Sequence, residues 1–154
     1  MTPEQLCKSG TEDAHQMALF AWAALNVKKY PQLRWLHSVP NGGLRSPRTG
    51  AKMKATGARK GVWDVFLPVP VHEMLPGMGG VDYVPYRSGL YIEMKKPGKG
   101  RLTDEQKEFR KHLDFYKYET AVCLTWDEAR EHLETYLKRI TEAQNDQYRR
   151  AIND

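Results

Sequence analysis

Glu93 and Lys95 place a carboxylate and an ammonium two positions apart, a combination suited to metal-assisted hydrolysis. They lie in the run 89–96, whose apolar residues alternate with polar ones in the pattern of a β-strand with one buried face. Both side chains therefore project from the same face, with Cα atoms roughly 7 Å apart. They could reach one phosphate, or one water beside a metal ion, although an isolated pair of this kind is usually a surface ion pair.

Asp64 supplies a second candidate carboxylate. It stands among apolar residues in the run 61–68, which has the composition of another β-strand. A carboxylate on the neighbouring strand favours a metal site over a surface ion pair. Zinc is poorly supported as the metal, because the five histidines show no ligand spacing.

A helix predicted over 11–25 carries Glu12 close to its start. Its apolar stripe consists of Phe20, Ala23, Ala24 and Val27. Extending this stripe backwards by one turn at a time places Gln16 and then Glu12 on the side that faces the core. The alternative is a capping box, in which Ser9 and Glu12 satisfy backbone amides at the helix start. The sequence does not decide between the two interpretations.

Gln106 raises the same question in a helix predicted over 103–116. It lies one turn before Phe109 on the inner stripe of that helix, so its amide is expected to point toward the sheet. The spacing Thr103-x-x-Gln106 is also that of a capping box, in which the amide would serve the helix start. Both interpretations stay open.

The predicted elements follow the order helix, strand, helix, strand, strand, helix, strand, helix. This order is typical of an α/β domain with a mixed β-sheet flanked by helices. The last helix is expected to turn Leu133, Leu137 and Ile140 inward. The segment 69–88 is too long for a simple hairpin connection, so we expect an excursion with a role of its own.

The length of 154 residues suffices for one domain with a substantial core and is too short for two ordinary domains. We expect a flexible N-terminus at 1–10, one domain at 11–143 and a polar tail at 144–154. Cys7 and Cys123 show no metal-ligand spacing and are expected to be reduced thiols in a cytoplasmic protein. No window approaches eighteen apolar residues, which argues against membrane insertion.

Positive charge dominates the composition. The net charge of +5 and the pI near 9.2 favour polyanionic partners. Residues 44–60 hold six cations and no acid, so they are the preferred contact to backbone phosphates of a nucleic acid. The expected contacts are Arg45, Arg48, Lys52, Lys54, Arg59, Lys60, Lys96, Lys99 and Arg101.

Taken in order, these motifs resemble the VRR-NUC domain of the PD-(D/E)xK nucleases, in particular its small stand-alone phage or bacterial form. The matching segments are PNGGLR (40–45), GVWDVFLP (61–68), GLYIEMKKP (89–97), LTDEQ (102–106) and AVC (121–123). The resemblance covers roughly residues 11–137. Trp63 departs from the pattern, since the family usually has proline directly before the aspartate.

The resemblance implies a restriction-endonuclease-like core and metal-dependent cleavage of DNA phosphodiester bonds. Lys95 would position or activate the attacking water, and Gln106 would support the site. Mg²⁺ suits the site because it takes oxygen ligands and keeps several waters, and Mn²⁺ is expected to substitute for it. The implied metal ligands are Glu12, Asp64, Glu93 and the backbone carbonyl of Met94.

The stand-alone members of the family further imply a homodimeric endonuclease that is selective for branched DNA such as the four-way, or Holliday, junction. Two cuts related by two-fold symmetry require two sites, and one chain offers one. The residues expected at a dimer interface are Phe20, Trp22, Met74, Leu75 and Met78. The alternatives are a non-catalytic DNA-binding module and a flap or general nuclease on the same fold.

Overall fold

A mixed four-stranded sheet carries Glu93, and Asp64 and Lys95 lie directly beside its strands. The computed structural model describes residues 1–39, 47–78, 80–98, 100–140, 144, 145 and 150. Its strands are β1 (His37–Ser38), β2 (Val65–Leu67), β3 (Val71–Gly77), β4 (Gly80–Arg87), β5 (Leu90–Met94) and β6 (Glu119–Cys123). Its helices are α1 (Pro3–Leu6), α2 (Glu12–Asn26), α3 (Pro47–Ala55), α4 (Asp104–Phe115) and α5 (Trp126–Lys138). None of the helices in these ranges is long and apolar enough to cross a membrane.

The strand order in the sheet is β1-β2-β5-β6. All neighbours pair antiparallel except β5 and β6, which are parallel. Ile92 at the centre of β5 lies opposite Val65 of β2 and Ala121 of β6. The predicted α/β class, with a mixed sheet flanked by helices, is confirmed.

One face of the sheet packs against α2 and α5 and forms the main core. Val65, Ile92 and Met94 are fully buried there, together with Leu19 of α2 and Leu133 of α5. Burying an aliphatic side chain of this size contributes roughly 1.5–3 kcal/mol to folding. The residues predicted to face inward from the last helix, including Leu133, are all buried.

The opposite face of the sheet is covered by α4. The ring of Tyr91 meets that of Phe109 edge-on, with centroids 5.5 Å apart. The Trp63 indole donates a hydrogen bond to the backbone carbonyl of Gln106 at 3.2 Å. The alternating pattern in the run 89–96 predicts only one buried face for β5, but α4 buries the second face of this strand as well. Glu93 is consequently only 1% exposed.

Helix α2 buries most of the predicted stripe and further residues beside it. Ala23 is buried and Phe20 and Val27 are partly buried, whereas Ala24 is exposed. Ala18, Leu19 and Trp22 are also buried. Trp22, which was expected at a dimer interface, therefore belongs to the core of the chain.

Residues 1–10, expected to be flexible, contain regular elements. Helix α1 begins with a capping box between Thr2 and Gln5, and Pro3 is buried. A short 3-10 helix, Cys7–Ser9, follows and ends at Gly10 with φ of +63°, a conformation that glycine adopts without strain. The polar tail predicted at 144–154 lies largely outside the described residues.

The segment 69–88 forms a β-hairpin. Its strands β3 and β4 pair with each other as a separate two-stranded sheet. The sequence does not reveal these strands because Pro76 and Pro85 interrupt them, and proline is ordinarily excluded from paired positions.

Candidate active site

The five predicted catalytic residues line one cavity of about 370 Å³. Asp64 reaches it from the residue before β2, Glu93 and Lys95 from the end of β5, and Glu12 and Gln106 from the starts of α2 and α4. Residues that are up to 94 positions apart in sequence are thus brought together where β5 ends.

Asp64 is anchored to the backbone on both sides. Its Oδ2 accepts a hydrogen bond from the Met94 N–H at 3.0 Å, and its backbone carbonyl accepts one from the Val39 N–H at 2.7 Å. The first bond joins Asp64 to β5 and the second joins it to the chain just after β1. The carboxylate therefore keeps a fixed position beside Glu93.

Glu93 is held through only one of its two carboxylate oxygens. Oε1 accepts from Lys95 Nζ at 2.6 Å and from the amide of Gln106. Oε2 is buried and has no hydrogen-bond partner in the described structure. A buried acceptor without a partner is costly and uncommon in folded proteins. This oxygen is therefore available to a ligand.

The acidic groups of the cavity bind their protons unusually tightly. Burial, and next the charge of Asp64, raises the pKa of Glu93 to about 7. Burial also raises the pKa of Asp64, against the opposing effect of the Met94 N–H. The pKa of Glu12 is raised by its own partial burial and by the charge of Asp64. The charge of Asp64 thus disfavours the ionised forms of Glu93 and Glu12, although hydrogen bonding with the Glu93 side chain lowers the pKa of Asp64 itself, and a bound cation would relieve the repulsion.

A hard divalent cation fits these donors. Carboxylate oxygens are the ligands that Mg²⁺ prefers, and the orphaned Oε2 of Glu93 supplies an uncommitted one. Within the described ranges, no group of three His, Cys, Asp or Glu side chains has the arrangement of a complete metal-ligand set. Glu93 is instead turned toward Lys95, whose ammonium partly neutralises it.

Gln106 satisfies both interpretations of its sequence at once. Its Oε1 accepts from the Thr103 N–H at 2.9 Å, and the Thr103 hydroxyl accepts from the Gln106 N–H at 3.3 Å, which completes a capping box. Its Nε2 simultaneously donates to Glu93. One amide side chain therefore starts α4 and orients the buried carboxylate.

Glu12 does not form the alternative capping box with Ser9. The N-cap of α2 is Thr11, whose hydroxyl accepts from the Ala14 N–H at 3.2 Å. Ser9 belongs to the preceding 3-10 helix. Glu12 is the first residue of α2, and its side chain lines the catalytic cavity. Gln16, one turn further on, lines a different cavity instead.

The expected DNA contacts fall into three groups. Arg45, Lys99 and the side chain of Arg48 lie outside the described residues. Lys60 lines the candidate catalytic cavity, and Arg101 lines a different cavity. The remaining contacts are all exposed: Lys52, Lys54, Arg59 and Lys96.

Two acidic residues near the site were not predicted. Glu105 lines the cavity from the first turn of α4, and the charge of Asp13 raises the pKa values of Glu12 and Asp64. Acidic residues are common in the first turn of any helix because they complement its dipole, so neither stands out in the sequence.

Comparison with known proteins gives one informative likeness. No protein-family profile and no curated protein matches the sequence. A solved structure described as a VRR_NUC domain protein superimposes with a TM-score of 0.62 and 25% sequence identity, covering 84% of this chain and 90% of the other. A likeness that spans most of both chains supports a VRR-NUC domain in this protein, a nuclease-type domain with a restriction-endonuclease-like fold.

Proposed function

We propose that the protein is a metal-dependent DNA endonuclease that hydrolyses phosphodiester bonds, with a preference for branched DNA such as the four-way junction. The observation that carries this proposal is the state of Glu93. Its carboxylate is buried, one oxygen is fixed by Lys95 and Gln106, and the other oxygen lies unpartnered among further carboxylates. Such a group is poorly suited to a purely structural role.

Mg²⁺, with Mn²⁺ as a substitute, is the proposed cofactor. Glu93, Asp64 and Glu12, which line the cavity, would hold it. The Met94 carbonyl is the proposed backbone ligand. When bound, such an ion lowers the pKa of a water and neutralises charge on the phosphate. The three clustered acids would then be stable in their ionised form.

Side chains of the cavity would stabilise charge on the phosphate, and their neighbours hold the carboxylates in place. The Lys95 ammonium, which is only 13% exposed, would stabilise negative charge as it grows on the phosphate oxygens. Gln106 fixes the orientation of Glu93. The Gln106 side chain cannot easily move, because its amide also belongs to the capping box at the start of α4. Asp64 is held by the Met94 N–H. The groups are therefore largely in place before DNA binds.

Exposed cations support DNA as the substrate. Lys52 and Lys54 of α3 are exposed, as are Arg59 and Lys96. With a net charge of +5, such cations would contact backbone phosphates without reading sequence.

A homodimer is the proposed assembly, because two cuts across a four-way junction need two sites related by a two-fold axis. The β3–β4 hairpin is the proposed interface. Its described side chains include Met78, Val84 and Tyr86, all exposed. Phe20 of α2 is partly buried and remains a candidate contact, while Met74 and Leu75 have side chains outside the described structure.

The proposal is tested by incubating the protein with linear duplex, flap and four-way junction DNA, each with Mg²⁺, Mn²⁺ or EDTA. Cleavage of the junction with either metal, and none in EDTA, is the expected result. Equal cleavage of all three substrates would replace junction selectivity with a general nuclease, and preference for the flap would identify a flap nuclease. Binding without cleavage under every condition would leave a non-catalytic DNA-binding module.

A further inference from the structure

The catalytic cavity contains two lysines, and they differ in their surroundings. Lys95 is largely buried and its Nζ lies 2.6 Å from Glu93 Oε1, so its charge is taken up by a carboxylate. Lys60 also lines the cavity but is exposed. None of the ion pairs within the described ranges involves Lys60. Its ammonium is the one available to an anion that enters.

The backbone next to Lys60 is tightly constrained. Gly61 has φ of +82°, and a Cβ added there would lie 2.6 Å from the backbone carbonyl of Glu105 in the first turn of α4. Two residues further on, the buried Trp63 donates to the Gln106 carbonyl. Any residue other than glycine at position 61 would therefore be strained and would clash. The segment 60–63 is fixed against the same helix start that orients Glu93.

Lys60 also has a distinct place within the basic segment. It is the last cation of the run 44–60 and, in the part of that run that the structure describes, the one that reaches the cavity. Lys52 and Lys54 lie on α3 and do not line it. The run thus ends at the place where the chemistry would occur.

We propose that Lys60 binds the phosphate group that is cleaved and holds it against the carboxylates, whereas the other cations of the basic segment contact flanking phosphates. This inference rests on the proposed nuclease function. The carboxylates of the cavity repel a phosphate while no cation is bound, and Lys95 is paired with Glu93, so Lys60 is the lysine of the cavity whose charge can attract an entering phosphate. Lys60 is a phosphate-binding residue in this role and takes no proton.

Kinetic measurements separate this role from general DNA attraction. Lys60→Ala should lower the single-turnover cleavage rate at saturating junction DNA by at least about tenfold, because a misplaced phosphate reacts slowly even when bound. Lys60→Arg should recover most of that rate, since it keeps the positive charge. The matched control is Lys111→Ala, which removes an exposed lysine from the middle of α4 and should behave as the unmodified protein. A normal rate for Lys60→Ala would overturn the inference.

A binding measurement without metal provides a second readout. Single neutral methylphosphonate groups are placed in turn along a junction strand, and the Kd is measured in EDTA for the unmodified protein and for Lys60→Ala. Neutralising the phosphate that the protein cleaves when Mg²⁺ is present should weaken binding of the unmodified protein but should not weaken binding of Lys60→Ala. If the insensitive position is a different phosphate, Lys60 does not bind the scissile group. A protein that cuts no DNA at all would instead refute the proposed function, and the inference with it.

Discussion

Glu93 is a side chain whose burial lowers the stability of the folded protein. Burying a carboxylate is costly, and leaving one of its oxygens without a donor adds to that cost. Lys95 and Gln106 offset part of the cost through Oε1 alone. The sequence predicts Glu93 and Lys95 through the spacing of E-x-K, and Gln106 through its place on the inner stripe of its helix. It does not predict the burial of Glu93, because that depends on α4 covering the second face of the strand.

The raised pKa of Glu93 gives an unusual pH dependence of stability. Its pKa rises from an ordinary 4.5 in the unfolded chain to about 7 in the folded one, so folding favours the protonated acid. The resulting stabilisation is complete below the unfolded pKa and is lost as the pH rises through the folded pKa. In EDTA, the free energy of unfolding should therefore fall between pH 5 and pH 8. Urea denaturation across this range measures it, and Glu93→Gln should flatten the profile.

Glu12 provides a second prediction at the same scale. Because burial and Asp64 both disfavour its charge, Glu12→Gln should leave the melting temperature in EDTA unchanged or raise it. The same substitution should lower junction cleavage, because a metal-binding carboxylate is lost. Differential scanning calorimetry and cleavage rates on one preparation test both parts. A fall in melting temperature with unchanged activity per folded molecule would show that Glu12 is structural.

The start of α4 illustrates an element that serves folding and the site together. Thr103 and Gln106 form its capping box, and Gln106 also contacts Glu93. The sequence presents the helix cap and the contact to Glu93 as alternative roles of Gln106, because spacing does not show that one amide can contact two partners at once. Its oxygen and nitrogen in fact point to different partners.

These roles can be separated by substitution. Thr103→Ala should cost about 1 kcal/mol of stability, the usual value of an N-cap hydroxyl, without lowering cleavage per folded molecule. Gln106→Ala should cost a similar amount and should also reduce cleavage, because Glu93 loses an orienting donor. Urea denaturation gives the first quantity, and cleavage rates at equal folded concentration give the second. Equal activity of both variants would mean that the amide serves only the helix.

The bounds of the helices and strands are more predictable from the sequence than the faces that they bury. The sequence predicts the bounds of α2 to within one residue but only part of its buried face, since Ala24 is exposed and Ala18, Leu19 and Trp22 are buried in addition to Ala23. From Met17 to Leu25 every residue of this helix is apolar, so periodicity cannot select a face. Packing against α5 and β5 makes the selection instead, and these contacts are not visible in local sequence.

Across the whole molecule, negative charge is concentrated in the cavity while the chain as a whole is positive. The acidic cavity sits in a chain with a net charge of +5, so DNA can be attracted overall while a cation is attracted locally.

The hairpin β3–β4 pairs only with itself in the described structure. Two-stranded sheets of this kind are marginal in water without further packing, which is why we propose that a second copy covers it.

Sedimentation equilibrium at micromolar concentration tests the proposed assembly. The protein should have the mass of a dimer, with and without junction DNA. Val84→Asp should shift it toward monomer, because an exposed apolar residue of the hairpin becomes charged. Phe115→Asp is the matched control, since Phe115 is exposed at the end of α4, outside the hairpin, and its replacement should leave the dimer intact. A strict monomer under both conditions would rule out the two-cut arrangement.

The most direct measurement is the single-turnover cleavage rate of a four-way junction by Glu93→Gln in Mg²⁺. The variant keeps the shape of the side chain but lacks the ionised carboxylate, so the rate should fall by at least about a hundredfold, as for the loss of other essential electrostatic groups. Glu134→Gln, which removes a carboxylate from an ion pair at the surface, should cleave normally. A folded Glu93→Gln protein that cuts the junction at a near-normal rate would contradict the assignment of this cavity as the active site.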